Sequence, residues 1–132
     1  MSDRGSERGA LQGLWYLAGL SRELRAGAML RRILFGEPVV IGRTRSGAAF
    51  ALRDVCPHRA APLSAGRVTG DAVECPYHAW TFSADNGRCV SVPALPSDDA
   101  RDCSSIRVAR FALAEANGLV WIWYGAGEPA QR

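Results

Sequence analysis

Cys56-Pro57-His58-Arg59 and Cys75-Pro76-Tyr77-His78 decide how this 132-residue chain is read. As patterns they are C-x-H, then C-x-x-H after a gap of sixteen residues. Two thiolates and two imidazoles are the donor set of a structural zinc or of a two-iron centre with mixed ligation. In C-x-H the two donors are too close for the C-x-x-C knuckle of a zinc finger. Each loop can, however, send its Cys to one metal and its His to a second. The only two histidines of the chain lie in these stretches. A Cys2His2 zinc site is the competing reading, and two structural thiols beside two surface histidines is the plainer one. Fingers place their histidines on a helix. Here a proline follows each Cys and the residues before each loop read as strand, so two loops at hairpin tips clamping a metal centre fit better.

Composition bounds the rest. The length suits one domain with its own core. A hydrophobic share of 48% with 22% charged residues is a globular balance. No apolar run reaches membrane-spanning length and the first nine residues are polar, so the expectation is a soluble, cytoplasmic protein with no membrane partner. All sixteen basic residues are arginines, spread along the chain for a net charge of +3. That is not the clustered basic stripe that nucleic acid demands, and no nucleic-acid partner is expected. Four cysteines in a cytosolic chain argue for metal before disulfide. Cys89 and Cys103 lack a partner histidine and read as semi-buried structural thiols.

Taken in order, residues 1–10 read as a tail and residues 11–125 as the domain. Leu14 to Leu20 is an aromatic, apolar opening strand, and Ser21 to Leu24 has room for one turn at most. Met29 to Phe35 and Pro38 to Arg43 form a strand pair parted at Gly36-Glu37-Pro38. Arg45-Ser46-Gly47 is a turn, and Ala49 to Val55 runs into the first loop. Leu63 to Gly66 and Thr69-Gly70-Asp71 are turn chemistry, Ala72 to Glu74 delivers the second loop, and Asp85-Asn86-Gly87 joins Trp80–Ser83 to Arg88–Val92. Pro93 to Ser105 is a loop. Ile106 to Leu113 alternates imperfectly as a strand, Asn117-Gly118 is a turn, and Leu119 to Tyr124 closes the domain. Many short strands predict an all-β antiparallel sandwich or small barrel. Residues 55–92 would be a small metal-binding unit inserted between outer strands, with Trp15, Trp121 and Trp123 in the core of the base. Residues 126–132 read as a linker.

Over most of its length the chain resembles a Rieske [2Fe–2S] domain, and more narrowly the N-terminal domain of the large subunit of Rieske non-haem iron oxygenases. The resemblance is carried by Trp15-Tyr16, Gly36-Glu37-Pro38, Ala51-Leu52-Arg53-Asp54, the first motif through Gly66, and Glu74-Cys75-Pro76-Tyr77-His78-Ala79-Trp80. It continues in Gly87-Arg88-Cys89, Val92-Pro93 and Gly118-Leu119-Val120-Trp121. It implies a [2Fe–2S] cluster with Cys56 and Cys75 on one iron and His58 and His78 on the other. Arg59, Ala60, Ala79 and Trp80 would flank these ligands. Ala60 and Ala79 stand where the family commonly has glycine, adding a methyl beside each loop without removing its N–H donors.

Respiratory-type members carry an extra cysteine in each loop, and the two form a disulfide. The corresponding residues here are Ala61 and Tyr77. Their serine and tyrosine hydroxyls, which bond the cluster and a ligand sulfur, correspond here to Trp80 and Phe82. Losing both puts the expected potential near the low end of the Rieske range, about −150 mV or somewhat above. The resemblance also implies partners: a flavin reductase or ferredoxin as donor, and a mononuclear-iron catalytic domain as acceptor. With both histidines used, a triad of two His and a carboxylate is not available from this chain, so that domain is expected outside it. Arg59 is a candidate docking contact for an acidic partner. A free-standing ferredoxin-like carrier and a zinc-stapled interaction domain are the alternatives.

Overall fold

Ten short strands in three antiparallel sheets make up the computed structural model, which describes residues 13–57, 61–76, 80–91 and 106–125. The first sheet has the order β1-β10-β9, with β1 spanning Leu14–Leu20, β9 Leu113–Ala116 and β10 Leu119–Tyr124. The second has the order β2-β3-β4, spanning Met29–Leu34, Glu37–Arg43 and Ala49–Arg53. The third has the order β5-β6-β7-β8, spanning Arg67–Thr69, Ala72–Glu74, Thr81–Ser83 and Cys89–Ser91. The all-β expectation holds. Among the described residues no helix is long and apolar enough to cross a membrane.

Alternation along the strands assigns their faces. On β10, Val120 and Ile122 are buried and join Ala18, Val39, Ile41 and Ala51 in one core, between the first and second sheets. Val40 on β3 and Phe50 and Leu52 on β4 point the other way, into a second core shared with Val73, Phe82 and Cys89 of the third sheet. The second sheet is therefore covered on both sides. That is why Val39-Val40-Ile41 reads as an unbroken apolar run rather than an alternating one. Of the three tryptophans expected in the core, Trp123 is buried, meeting Trp15 edge-on at 5.5 Å. Trp15 and Trp121 are only half-buried.

Several boundaries differ from the sequence reading. The β2–β3 turn is the two-residue Phe35-Gly36, with φ of 43° and 77°, so Glu37 and Pro38 belong to β3 and pair with Leu34 and Ile33. This is the left-handed two-residue turn that suits strand twist. The Pro38 carbonyl accepts from the Asp54 N–H, so its missing donor drops one rung only where the β4 ladder has already ended. Three-residue β5 falls between, and overlaps at Thr69, the two stretches that read as turn chemistry. The run Ile106 to Leu113 is not a ladder strand. Ile106 accepts from the Cys89 N–H and Val108 donates to the Gly87 carbonyl, which ties the segment to the third sheet. Ala109 accepts from the Arg53 N–H and Phe111 donates to the Ala51 carbonyl, which ties it to the second. Val108 faces one core and Phe111 the other, so its alternation is imperfect. The expectations for residues 1–10, Pro93 to Ser105 and 126–132 lie outside the described residues.

Candidate metal centre

The two motif-bearing loops are built differently. The second is a hairpin tip: Glu74 on β6 pairs with Thr81 on β7, and the Cys75 N–H donates to the Trp80 carbonyl at 2.7 Å. The first was expected to be a hairpin tip too and is not one. It leaves β4 of the second sheet, passes Cys56, and returns through a 3-10 turn over Leu63–Ala65 into β5 of the third. Its inner rung is the Cys56 N–H to the Ala61 carbonyl at 2.8 Å.

Below that rung the loop is held by a side chain. Asp54 is buried, and its Oδ1 accepts the Ser64 backbone N–H at 2.7 Å. Oδ2 accepts the Ser64 hydroxyl at 2.6 Å and Arg31 Nη1 at 2.8 Å. The sequence reading gave these three residues no role at the site. A carboxylate at the apolar end of β4, two positions before a ligand motif, was the available signal. Gly66 locks the exit of this loop onto the entry of the other: a Cβ there would be driven into the Glu74 carbonyl oxygen and lie 3.2 Å from Pro76 Cδ.

Cys56 and Cys75 are both fully buried, neither is in a disulfide, and they lie in one apolar group with Ala61, Leu63, Phe82 and Cys89. Trp80 is half-buried and packs against that group. Two uncrosslinked thiols shielded from water, each opening a loop whose next donor is an imidazole, are soft ligands suited to an iron–sulfur centre, and the donor set fits one. Cys89, also buried, sits with its Sγ 3.8 Å from the Ser91 carbonyl, in keeping with a structural thiol. His58, Arg59, Ala60, Tyr77, His78, Ala79 and Cys103 lie outside the described residues.

Comparison with known proteins agrees with this geometry. The family model described as the Rieske [2Fe-2S] domain matches residues 14–112. Chlorophyllide a oxygenase of Chlamydomonas reinhardtii is 40% identical over 121 residues, which cover 92% of this chain but only 18% of that protein. Among solved structures, the terminal oxygenase of carbazole 1,9a-dioxygenase from Nocardioides aromaticivorans IC177 superposes with a TM-score of 0.82 at 30% identity, covering 91% of this chain and 32% of the other. A reduced complex between oxygenase and ferredoxin in carbazole 1,9a-dioxygenase gives a TM-score of 0.81 at 28% identity, covering 91% of this chain and 30% of its match. The chain thus spans about a fifth to a third of the length of these relatives.

Proposed function

The chain belongs to the Rieske [2Fe-2S] domain family, and from that premise we propose that it is the electron-relay module of an oxygenase, passing single electrons from a reductase or ferredoxin to a catalytic iron outside these residues. The observation that carries the reading is the meeting of two buried, uncrosslinked thiols from two separate loops in one apolar group. Cys56 and Cys75 would hold one iron, and His58 and His78, two and three residues further along their loops, the other. When bound, such a cluster supplies a site that takes up and gives back one electron.

The chain's own residues define how that site is kept. Leu63, Phe82 and Ala61 pack in the buried apolar group that holds both cysteines. The N–H groups of Cys56 and Cys75 close their own loops on Ala61 and Trp80 and so hold each ligand's backbone in place. The remaining donors for the sulfurs would come from the loop tips. For the acceptor, a mononuclear iron held by two His and a carboxylate needs imidazoles beyond the two in this chain. The similarity to oxygenases, one of them solved in complex with ferredoxin, supports donor and acceptor of these kinds. A cytoplasmic location belongs to the same proposal.

The test begins with composition. The purified chain should hold about two irons and two acid-labile sulfides and show a reduced-state EPR signal. His58→Ala or His78→Ala should abolish that signal, while Cys89→Ala and Cys103→Ala keep it. Under oxygen with a candidate aromatic substrate and a reductase, product should form only when a catalytic domain is added. A colourless zinc protein, or hydroxylated product from this chain alone, would refute the relay.

A further inference from the structure

We propose that Asp54 is a positioning residue for the first ligand loop: its buried carboxylate, below the single backbone rung from Cys56 to Ala61, sets where Cys56 lies. The proposal rests on the reading of Cys56 and His58 as ligands and goes beyond it to what aims them.

The asymmetry between the loops motivates it. Loop two springs from the β6–β7 ladder, whose successive pairs Ala72–Ser83, Val73–Phe82 and Glu74–Thr81 register its base along the backbone. The stems of loop one belong to different sheets, and no strand pairing joins Asp54 to Ser64. What joins them is one carboxylate. Oδ1 takes the Ser64 N–H and Oδ2 the Ser64 hydroxyl, a two-point grip that fixes separation and twist across the neck. The Asp54 N–H donates to the Pro38 carbonyl at 2.9 Å, and Arg31 on β2 reaches Oδ2, so the neck is registered to β2 and β3 of the second sheet as well.

Energetics favour geometry as the role. The Asp54 side chain is 0% exposed and that of Arg31 47% exposed. Burying a carboxylate is costly, and a partner of this kind returns little net stability, whereas removing one member leaves polar groups unsatisfied. An apolar residue would fill the space, but it could not hold the neck at two points.

The experiment uses the full chain with its cluster. Asp54→Asn keeps size and removes the charge; Ser64→Ala removes one of the two grips and leaves the N–H. Glu115→Gln is the control, because Glu115 pairs with Arg43 between the first and second sheets, away from both loops. For each variant the reduced-state g values, the midpoint potential, the rate of iron loss to a chelator and the urea midpoint are measured. Asp54→Asn should shift the g values and speed iron loss about tenfold, as expected from one lost charge-assisted bond. Ser64→Ala should move both in the same direction by less, and the double variant should fall short of the sum. Glu115→Gln should lower the urea midpoint and leave g values and potential alone. If Asp54→Asn and Ser64→Ala behave like the control, losing stability with unchanged spectra, the proposal is overturned. Should Asp54→Asn not fold, Ser64→Ala decides, and wild-type g values and iron-loss rate in it overturn the proposal. The iron and sulfide content of the wild-type chain separately tests the family reading, and their absence there would overturn both.

Discussion

Gly66→Ala should uncouple the two ligand loops. Gly66 has a negative φ of −89°, so it carries no left-handed penalty, and what an added side chain meets there is crowding. The added methyl would be driven into the Glu74 carbonyl oxygen, with the carbonyl carbon at 3.0 Å and Pro76 Cδ at 3.2 Å. These neighbours are backbone and a proline ring, which cannot swing aside as the end of a flexible side chain would. Carbon atoms rest at about 3.5–4 Å, so the exit of loop one and the entry of loop two must part by roughly 1 Å or more. Overpacking of this kind costs about 1–3 kcal/mol, and the displacement falls one residue from Cys75. Urea unfolding of the apo-protein reads the stability loss; iron content and reduced-state g values read the parting of the loops. Gly70→Ala is the control: Gly70 has open space around its Cβ position and φ of 60°, so it carries only the left-handed penalty of about 1 kcal/mol. A Gly66→Ala protein with wild-type spectra and a stability no lower than that of Gly70→Ala would refute the reasoning.

Phe82→Tyr places a hydroxyl in the fully buried group that holds both cysteines, and should raise the midpoint potential by tens of millivolts, the equivalent of about 1 kcal/mol favouring the reduced state. An unchanged or lowered potential in a redox titration would show that residue 82 does not reach a ligand sulfur. Glu115 accepts from Arg43 at 2.7 and 3.2 Å, and chiefly these hydrogen bonds hold its carboxyl below the ordinary value near 4.5, against an opposing push from burial. A lowered folded-state value means that the contribution is complete above about pH 4.5 and is lost as pH falls through the folded value. Glu115→Gln should therefore lower stability by about 1 kcal/mol at pH 7. The gap between variant and wild type should close in acid, and a gap independent of pH in denaturant titrations would contradict the assignment.

What the sequence could say depended on whether the information was local. β1 and β10 stood out because their apolar residues are contiguous, and Asn117-Gly118 because both residues tolerate the positive φ they adopt, 55° and 77°. The β2–β3 turn was misplaced because Phe35 takes a left-handed φ that its side chain gives no reason to expect. Ile106 to Leu113 misled because its pattern answers to two cores at once. At the candidate centre, spacing alone singled out Cys56 and Cys75, which the structure buries in one apolar group. The Asp54 brace was not, since its partners lie ten and twenty-three residues away and meet only after two sheets have formed. Nor did the motifs reveal that loop one crosses between sheets while loop two is a simple hairpin.

The stretch 106–111 has a mechanical consequence. A unit inserted by two chain crossings could rock about them as a hinge. Here one extended segment donates to Gly87 and accepts from Cys89 on one side, and donates to Ala51 and accepts from Arg53 on the other. Tilting the third sheet against the second would tear that shared line of backbone bonds, so the two sheets open together or not at all. On the proposed reading, a centre held by Cys56 and Cys75 would then keep a fixed offset from the second sheet as the molecule meets a partner.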